Sequence, residues 1–467
     1  MRHTPHRTLL RRRLLALLAA SAVLVAACGN SGDDDDTAAG DTTTTAAPDD
    51  GGEGEGEGAG TDGGDVGEFQ PIEGVNGVTD DQIQYAVLGT GPANPLGYCL
   101  LECYAAGVKA RFDYQNSIGG VHGRDIVVSR TEDDELGNTQ VKLLELVEAP
   151  DVFGILGAPL IYAGYSDVGN TDVPLYTTFP ASPEADGFDN IYVAGGTLCL
   201  DCPSPPAVQG AVLAGATKAA SLGFGVSQAS KDCVASTKEN FELYGPGVGI
   251  EFAYENDELA YGFPNGVGPE VTAMKEAGVD YISTCIDQTS VVTLKQEMAR
   301  QGMEAVVALP QGYGDQEYLQ ANADLLEGDI LSVRYRPFEA DAGDSMLETM
   351  QEWLEQTGVQ MNDYAIQGWI GGDMAIAALL AAGPQFDQAS VIEAFNQVTD
   401  YTAGGLLAPP VDWTTAHDAG APDDARRTCA AYLIVKGGAL ELQGDPAEPF
   451  FCWDTPLDEW AEPETAG

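Results

Sequence analysis

Many side chains in this 467-residue chain could do chemistry, but few stand at the spacing that catalysis needs. Gly164-Tyr165-Ser166-Asp167-Val168 carries the serine of a nucleophile elbow and lacks its last glycine. Gly89-Thr90-Gly91-Pro92-Ala93-Asn94 opens like a dinucleotide-binding loop and lacks the third glycine. No GKS or GKT phosphate loop and no HExxH pair occurs. Asp133 and Asp134 are adjacent at the end of an expected strand, so they face opposite ways. Solvation or helix capping accounts for them better than acid–base work. Cys199-Leu200-Asp201-Cys202 has the spacing of a redox or zinc pair. There is no second CxxC, and His122 and His417 are isolated, which argues against zinc. A thiol-redox role would need the pair at a helix start in a thioredoxin-like unit. What remains is recognition of a ligand, with no cofactor and no metal required.

Recognition needs polar groups held at one edge of a scaffold. The stretch 82–134 reads strand, helix, strand: Gln82 to Leu88, then apolar positions Leu100, Leu101, Tyr104, Ala105, Val108 and Phe112 near the spacing of one helix face, then Asp125 to Arg130. Gly119-Gly120 stops the helix, because glycine accepts the left-handed turn. The alternation continues, with strands expected over 152–156, 173–178, 191–194, 224–228, 250–254, 281–285, 305–309 and 430–435. Helices are expected over 139–148, 208–222, 235–244, 271–277 and 290–301. This is an α/β chain with doubly wound parallel sheets. Such sheets bind ligands outside the carboxyl ends of their strands. The polar groups there are Asn94 and Tyr98 after the first strand, Tyr162 after the third, and Thr178 and Ser182 after the fourth. Farther along they are Lys231 and Asp232, Asp287 and Gln288, and Gln311 and Tyr313. For each, the plain alternative is a loop residue or a helix cap.

The first 27 residues stand apart from the fold. Arg7 and Arg11 to Arg13 make a basic start, and 14–27 is almost wholly apolar but short for a bilayer span, so 1–27 reads as an export signal. Residues 28–68 have no apolar period; an acidic run at 33–36, a threonine run at 42–45 and alternating Gly and Glu read as a disordered acidic tether. Removing the signal leaves 16 basic against 73 acidic residues, a net charge of −57. A nucleic-acid binder needs a basic face, so that class is excluded. The acid does not imply a cationic substrate; with eight lysines in the chain it reads more simply as surface solvation. Some 390 residues remain from Val78 onward, which suits two domains.

Asn116-Ser117-Ile118-Gly119-Gly120-Val121-His122-Gly123-Arg124, followed by a strand ending in Glu132-Asp133-Asp134, resembles a signature of the Leu/Ile/Val-binding proteins, the extracytoplasmic solute receptors of ABC importers with the type I periplasmic-binding fold. The resemblance runs from about Val78 to Leu440. Val25-Ala26-Ala27-Cys28-Gly29 resembles a bacterial lipobox, which implies cleavage before Cys28, diacylation of its thiol and a lipid anchor on the outer face of the cell membrane. The family fold implies two lobes joined by three crossings, near 194–196, near 335–337 and between 403 and 426. Lobe one would be 78–195 plus 337–405, and lobe two 196–336 plus 426–455. Gly195-Gly196 suits a crossing that absorbs rotation.

The resemblance also sharpens the site. Amino-acid-binding members use hydroxyls of lobe one for the ligand carboxylate, and a tyrosine and a glutamate of lobe two for the ammonium. Ser182 falls near one hydroxyl position, Asp287 or Gln288 at the tyrosine position, and Gln311 at the glutamate position. A neutral amide at 311 gives a cation no full countercharge, and Asp287 is the group left to supply it. The implied function is capture of a small polar organic solute, amino-acid-like or amide-like, for delivery to a membrane permease. A ligand sensor of the same fold is the alternative, which the lack of a fused signalling domain disfavours; an exported enzyme is the third. Eight further cysteines in an exported chain imply disulfides, paired Cys99 with Cys103, Cys199 with Cys202, Cys233 with Cys285 and Cys429 with Cys452.

Overall fold

The computed structural model describes residues 68–467, apart from 93, 95–98, 179–182, 200–201, 311 and 421–424. Except for Glu68, the expected signal, Cys28 and the tether lie outside the described residues, as do the site candidates Tyr98, Ser182 and Gln311.

The fold begins with β1 (Gln82–Gly89), α1 (Leu101–Ser117), β2 (Asp125–Asp133), α2 (Thr139–Val147), β3 (Gly154–Ala158), α3 (Tyr165–Gly169), β4 (Leu175–Thr177) and β5 (Ile191–Val193). The five strands form one parallel sheet in the order β2-β1-β3-β4-β5. Ile83, Tyr85, Ala86, Val87 and Leu88 are all buried, so β1 is covered on both faces and reads as a continuous apolar run.

The turn between α1 and β2 is a fastener built from the 116–124 motif. The Asn116 side chain donates Nδ2 to the carbonyl of Ile126 and accepts from its amide, each at 2.9 Å. Gln115 donates to the carbonyl of Gly120 at 2.8 Å. Arg124 donates to the carbonyls of Thr79 at 2.8 Å and Gln70 at 2.6 Å. Gly120 has φ +73°, and a Cβ there would stand 2.1 Å from the Arg124 carbonyl oxygen, so only glycine fits.

The chain then builds α4 (Pro206–Leu213), β6 (Lys218–Phe224), α5 (Gln228–Val248), β7 (Glu251–Leu259), α6 (Gly268–Ala277), β8 (Tyr281–Cys285), α7 (Gln288–Gln301), β9 (Val306–Ala308), α8 (Gln316–Ala321), α9 (Ala323–Leu326) and β10 (Ile330–Val333). It returns toward the first sheet through α10 (Leu347–Thr357), α11 (Asp363–Ala382) and α12 (Gln388–Phe395). It ends in β11 (Arg426–Lys436), β12 (Ala439–Leu442), β13 (Phe450–Thr455) and β14 (Glu464–Ala466). The second sheet has the order β14-β13-β11-β10-β9-β8-β6-β7, with β12 on β11. Strands β6 to β10 are parallel, whereas β11 to β14 pair antiparallel. The second sheet is therefore mixed, where the alternation of elements implies a parallel one.

One stretch departs from its sequence pattern. Residues 208–222 read as a helix and 224–228 as a strand, but α4 stops at Leu213 and β6 occupies 218–224. Gly215, at φ +66°, follows the end of α4. The Ala-rich run that follows favours a helix by propensity, yet Ala219, Ala220, Ser221 and Leu222 are all buried, the condition of a central strand. Ser227 then caps α5, its Oγ accepting from the Ser230 amide at 3.3 Å.

Helix α11 is long and apolar enough to cross a membrane, but 72% of that stretch is buried inside the protein, as a core helix is. It lies directly on α1. A Cβ at Gly107 would stand 1.9 Å from the Ala365 carbonyl oxygen, and one at Gly368 would stand 2.1 Å from that of Tyr104. Below this contact Arg111 Nε meets Asp373 Oδ2 at 2.8 Å with both side chains buried, and the Tyr401 hydroxyl donates to Asp373 Oδ1 at 2.9 Å. Helix α12 fastens to the first sheet through Gln388, which donates to the Phe153 carbonyl at 2.7 Å, and through Tyr192, which donates to Asn396 Oδ1 at 2.8 Å.

The chain passes between the sheets three times, around 194–197, 334–337 and 403–425. The passages run side by side: the Thr197 amide donates to the Ala416 carbonyl at 2.8 Å, and the Arg336 amide to that of Leu406 at 2.7 Å. Gly195 and Gly196 have φ +81° and +87°, which a side chain would oppose. Four disulfides join Cys99 to Cys103, Cys199 to Cys202, Cys233 to Cys285 and Cys429 to Cys452. The last spans directly paired residues of β11 and β13.

Candidate ligand site

At the carboxyl edge of the first sheet, β1, β2 and β3 end in loops that share a hydroxyl and carboxylate network. Asp134 Oδ2 accepts from Thr90 Oγ1 at 3.1 Å and from Thr139 Oγ1 at 2.9 Å, while its Oδ1 accepts from the Leu136 amide at 2.8 Å. Thr90 Oγ1 in turn accepts from the Leu160 amide at 2.8 Å, which ties the β1 and β3 loops together. Asp133 Oδ1 accepts from the amides of Gly91 at 2.9 Å and Glu135 at 2.8 Å. The two acids therefore brace loops, and Asp134 is fully buried, so the solvation or helix capping expected of the pair does not describe it. Asn94 is buried, with Nδ2 donating to the Gly91 carbonyl at 3.0 Å.

Two candidates meet here. The hydroxyls of Tyr162 and Thr178 share a hydrogen bond at 2.9 Å. Tyr162 packs edge-on to Tyr165, whose hydroxyl bonds Thr177 Oγ1 at 2.8 Å. Burial pushes the Tyr162 phenol up to about 12, with the Thr178 bond opposing, so at neutral pH it is an uncharged donor and acceptor. Neutral hydroxyls at a sheet edge suit a carboxylate or carbonyl group.

At the carboxyl edge of the second sheet the candidates divide. Asp287 caps α7: its Oδ1 accepts from the amides of Thr289 and Ser290 at 3.0 Å each, and its Oδ2 from Ser290 Oγ at 2.7 Å. The countercharge expected of it is thus engaged by its own helix. Asp232 sits exposed on α5 and accepts from Gln228 at 2.8 Å. Gln288 is buried beside the β9 loop, with Nε2 donating to Asp315 Oδ2 at 3.5 Å. Tyr313 is buried under the second passage. Its hydroxyl donates to Glu339 Oε2 at 2.9 Å and accepts from the Phe338 amide at 2.6 Å.

Sequence reasoning missed the acids beside Tyr313. Tyr335 packs edge-on to Tyr313 with ring centroids 5.6 Å apart and donates its hydroxyl to Asp363 Oδ1. Burial pushes Asp363 up to about 6, against the Tyr335 hydrogen bond, and pushes Glu339 up as well. Asn362, an N-cap before the apolar run of α11, was a readable signal that Asp363 opens a helix. Nothing local in the sequence joins it to Tyr335.

Cavities lie elsewhere along the passages. One of about 850 Å³ is lined by 195–199, Arg334, 407–412 and 425–429 among others. A second of about 400 Å³ shares 407–410 and Arg427 with it and adds Arg336. None of the ligand-binding candidates among the described residues lines either.

Comparison with known proteins agrees with this architecture. A family model described as periplasmic binding protein matches residues 90–428, well over half of the chain. Among solved structures, a leucine-binding protein, LivK, from Thermotoga maritima MSB8 is 12% identical with a TM-score of 0.59, covering 77% of this chain and 97% of its own. A putative branched-chain amino acid ABC transporter from Rhodospirillum rubrum is 16% identical with a TM-score of 0.57, covering 78% and 99%. A solute-binding protein from R. palustris in complex with 4-hydroxybenzoate is 17% identical with a TM-score of 0.60, covering 80% and 98%. No curated protein matches the chain. The structural likenesses, at these identities, show a shared fold, and that fold is the type I periplasmic-binding one. With the family match, they make the protein one that binds a solute and does not turn it over: the chain belongs to the periplasmic binding protein family.

Proposed function

We propose that the mature chain is an extracytoplasmic receptor of an ABC importer, held to the outer face of the cell membrane through acylated Cys28 and the acidic tether 28–68. Two lobes, 78–195 plus 337–405 and 196–336 plus 426–455, close on a small polar organic solute bearing a carboxylate or amide and present it to a permease. The observation that carries this reading is the Tyr162–Thr178 hydroxyl pair at the carboxyl edge of a parallel sheet, in loops that follow β3 and β4. The relatives of this fold include one named for leucine and one holding 4-hydroxybenzoate, both carboxylates.

Calorimetry against the amino acids and a set of aromatic carboxylates tests it. One solute should bind at one site per chain, and Tyr162→Phe should weaken it about tenfold by removing a half-buried hydrogen-bonding group. No binding by any member of both sets, or an unaltered isotherm in Tyr162→Phe, would remove this site. The anchor is tested separately: Cys28→Ala should release the protein from sedimented membranes, since the tether that follows is polar.

A further inference from the structure

Besides the three passages, the loop after β9 touches the N-terminus of α11. Gly314, at φ +71°, comes so close that a Cβ there would stand 1.9 Å from the Met361 carbonyl oxygen and 2.9 Å from the Asn362 Cα. Just before it, buried Tyr313 stacks on Phe338 with ring centroids 5.8 Å apart. Its hydroxyl is held by groups that follow the second passage, accepting from the Phe338 amide and donating to Glu339 Oε2. On the far side Asn362 caps α11, its Oδ1 accepting from the amides of Tyr364 at 3.1 Å and Ala365 at 3.2 Å. Its Nδ2 donates to the Cys99 carbonyl at 3.0 Å, and Cys99 is bonded to Cys103 of α1. The surface that meets Gly314 is thus fixed to the helices of the first sheet, while Gly314 follows a strand of the second.

Two half-buried carboxyls sit inside this contact, each taking a phenol proton: Asp363 from Tyr335 and Glu339 from Tyr313. The titratable groups that face Asp363 are Tyr335 of the second passage, with Tyr313 of the β9 loop and Glu339 behind it. None of these is a cation. Arg336, next to Tyr335, donates instead to the carbonyls of Asp341 at 2.7 Å and Gly405 at 3.3 Å. Arg334 lies near Tyr432, and Glu102, on the first turn of α1, is exposed. Two carboxyls drawn together from water without a countercharge are held more readily neutral than ionised. Burial raises the pKa of both accordingly, that of Asp363 to about 6.

We propose that the contact of the β9 loop with the N-terminus of α11 is a proton-governed latch between the two sheets, fastened when Asp363 and Glu339 are neutral and slackened when they ionise. Parting the contact hydrates both carboxyls and returns Asp363 toward its ordinary 3.8. A carboxyl whose pKa is higher in the fastened state favours that state fully below about pH 4. The advantage is lost as the pH rises through about 6, so the latch holds in acid and loosens toward neutrality. The difference between 3.8 and about 6 shifts the equilibrium by up to roughly a hundredfold. Because the latch stands apart from the covalent passages, it can part while they bend.

The test is hydrogen exchange of the purified full chain without added solute, read on peptides covering 312–320 and 360–366, beside small-angle scattering of the same samples. Between about pH 4.5 and about pH 7.5, after correction for the intrinsic rate, protection of both peptides should fall about tenfold or more and the radius of gyration should rise. Asp363→Asn combined with Glu339→Gln should give equal protection at both ends of the range. Tyr313→Phe, which removes the hydroxyl between Phe338 and Glu339, should lower protection throughout. Asp113→Asn combined with Glu145→Gln removes two exposed acids from α1 and α2 and should leave the wild-type dependence in place. Should the first pair fail to fold, judged by its melting curve, Glu339→Gln alone takes its place and should flatten the dependence. Wild-type protection that does not change with pH overturns the proposal. So does a dependence that the Asp363–Glu339 pair retains, or one that the Asp113–Glu145 pair loses equally. These outcomes do not touch the solute reading, which is tested with ligands at Tyr162.

Discussion

Asp363 shows how a residue's chemistry depends on its surroundings. An ordinary aspartate of pKa 3.8 is held at about 6 by burial against Tyr335. A carboxyl raised in the folded state costs stability once ionised, and that cost grows between about pH 4 and pH 6 and is complete above it. Asp363→Asn keeps an oxygen for the Tyr335 hydroxyl and removes the buried charge. It should therefore stabilise the protein by ~1–3 kcal/mol at about pH 7.5 and by almost nothing at about pH 4, measured by denaturant unfolding at both. An equal effect at both pH values would show that the carboxyl is solvated. Of the candidate ligand residues, the sequence reached those that end strands, because periodicity locates strand ends. It could not tell that Asp287 would cap α7, since a capping aspartate and a ligand-binding one look alike until the loop closes. The Glu339–Tyr313 and Asp363–Tyr335 pairs join positions 26 and 28 apart across a passage, and no local pattern encodes them.

Local pattern served better for helices and strands. The 116–124 motif was legible because each of its residues has one geometric role. An amide clasps a strand, glycines take positive φ, and an arginine ties distant carbonyls. The run 214–222 was not legible, because alanine favours a helix while burial in the second sheet dictates a strand. The α1–α11 contact was equally hidden, since a glycine in a helix reads as a weakness until its neighbour is known. Its role is testable. On an exposed helix face Gly→Ala stabilises by about 1 kcal/mol through propensity. Gly107→Ala should instead destabilise by ~1–3 kcal/mol, because its Cβ would stand 1.9 Å from a carbonyl oxygen of α11. A more stable variant in chemical denaturation would mean that the two helices separate freely.

The molecule as a whole is two sheets with their helices, linked by three passages of chain that run side by side, with α10 to α12 carried back to the first sheet. The doubly wound character was readable from the alternation of elements, whereas the antiparallel extension from β11 to β14 was not: a strand was expected over 430–435, within β11, but strand period does not give pairing direction, and β12 and β14 are only four and three residues long. The proposed capture of a small molecule would draw on the hydroxyl-bearing edge of the first sheet and the amide-bearing edge of the second, with glycine-bearing passages between the sheets. A ligand favours closure only by binding the closed form more tightly, so the captured solute is the most direct witness. Native mass spectrometry of the gently purified protein reads it. The account predicts one small organic molecule per chain, lost on unfolding and regained from a pooled set of amino acids and aromatic carboxylates. A bare polypeptide that takes up nothing from that pool would contradict it.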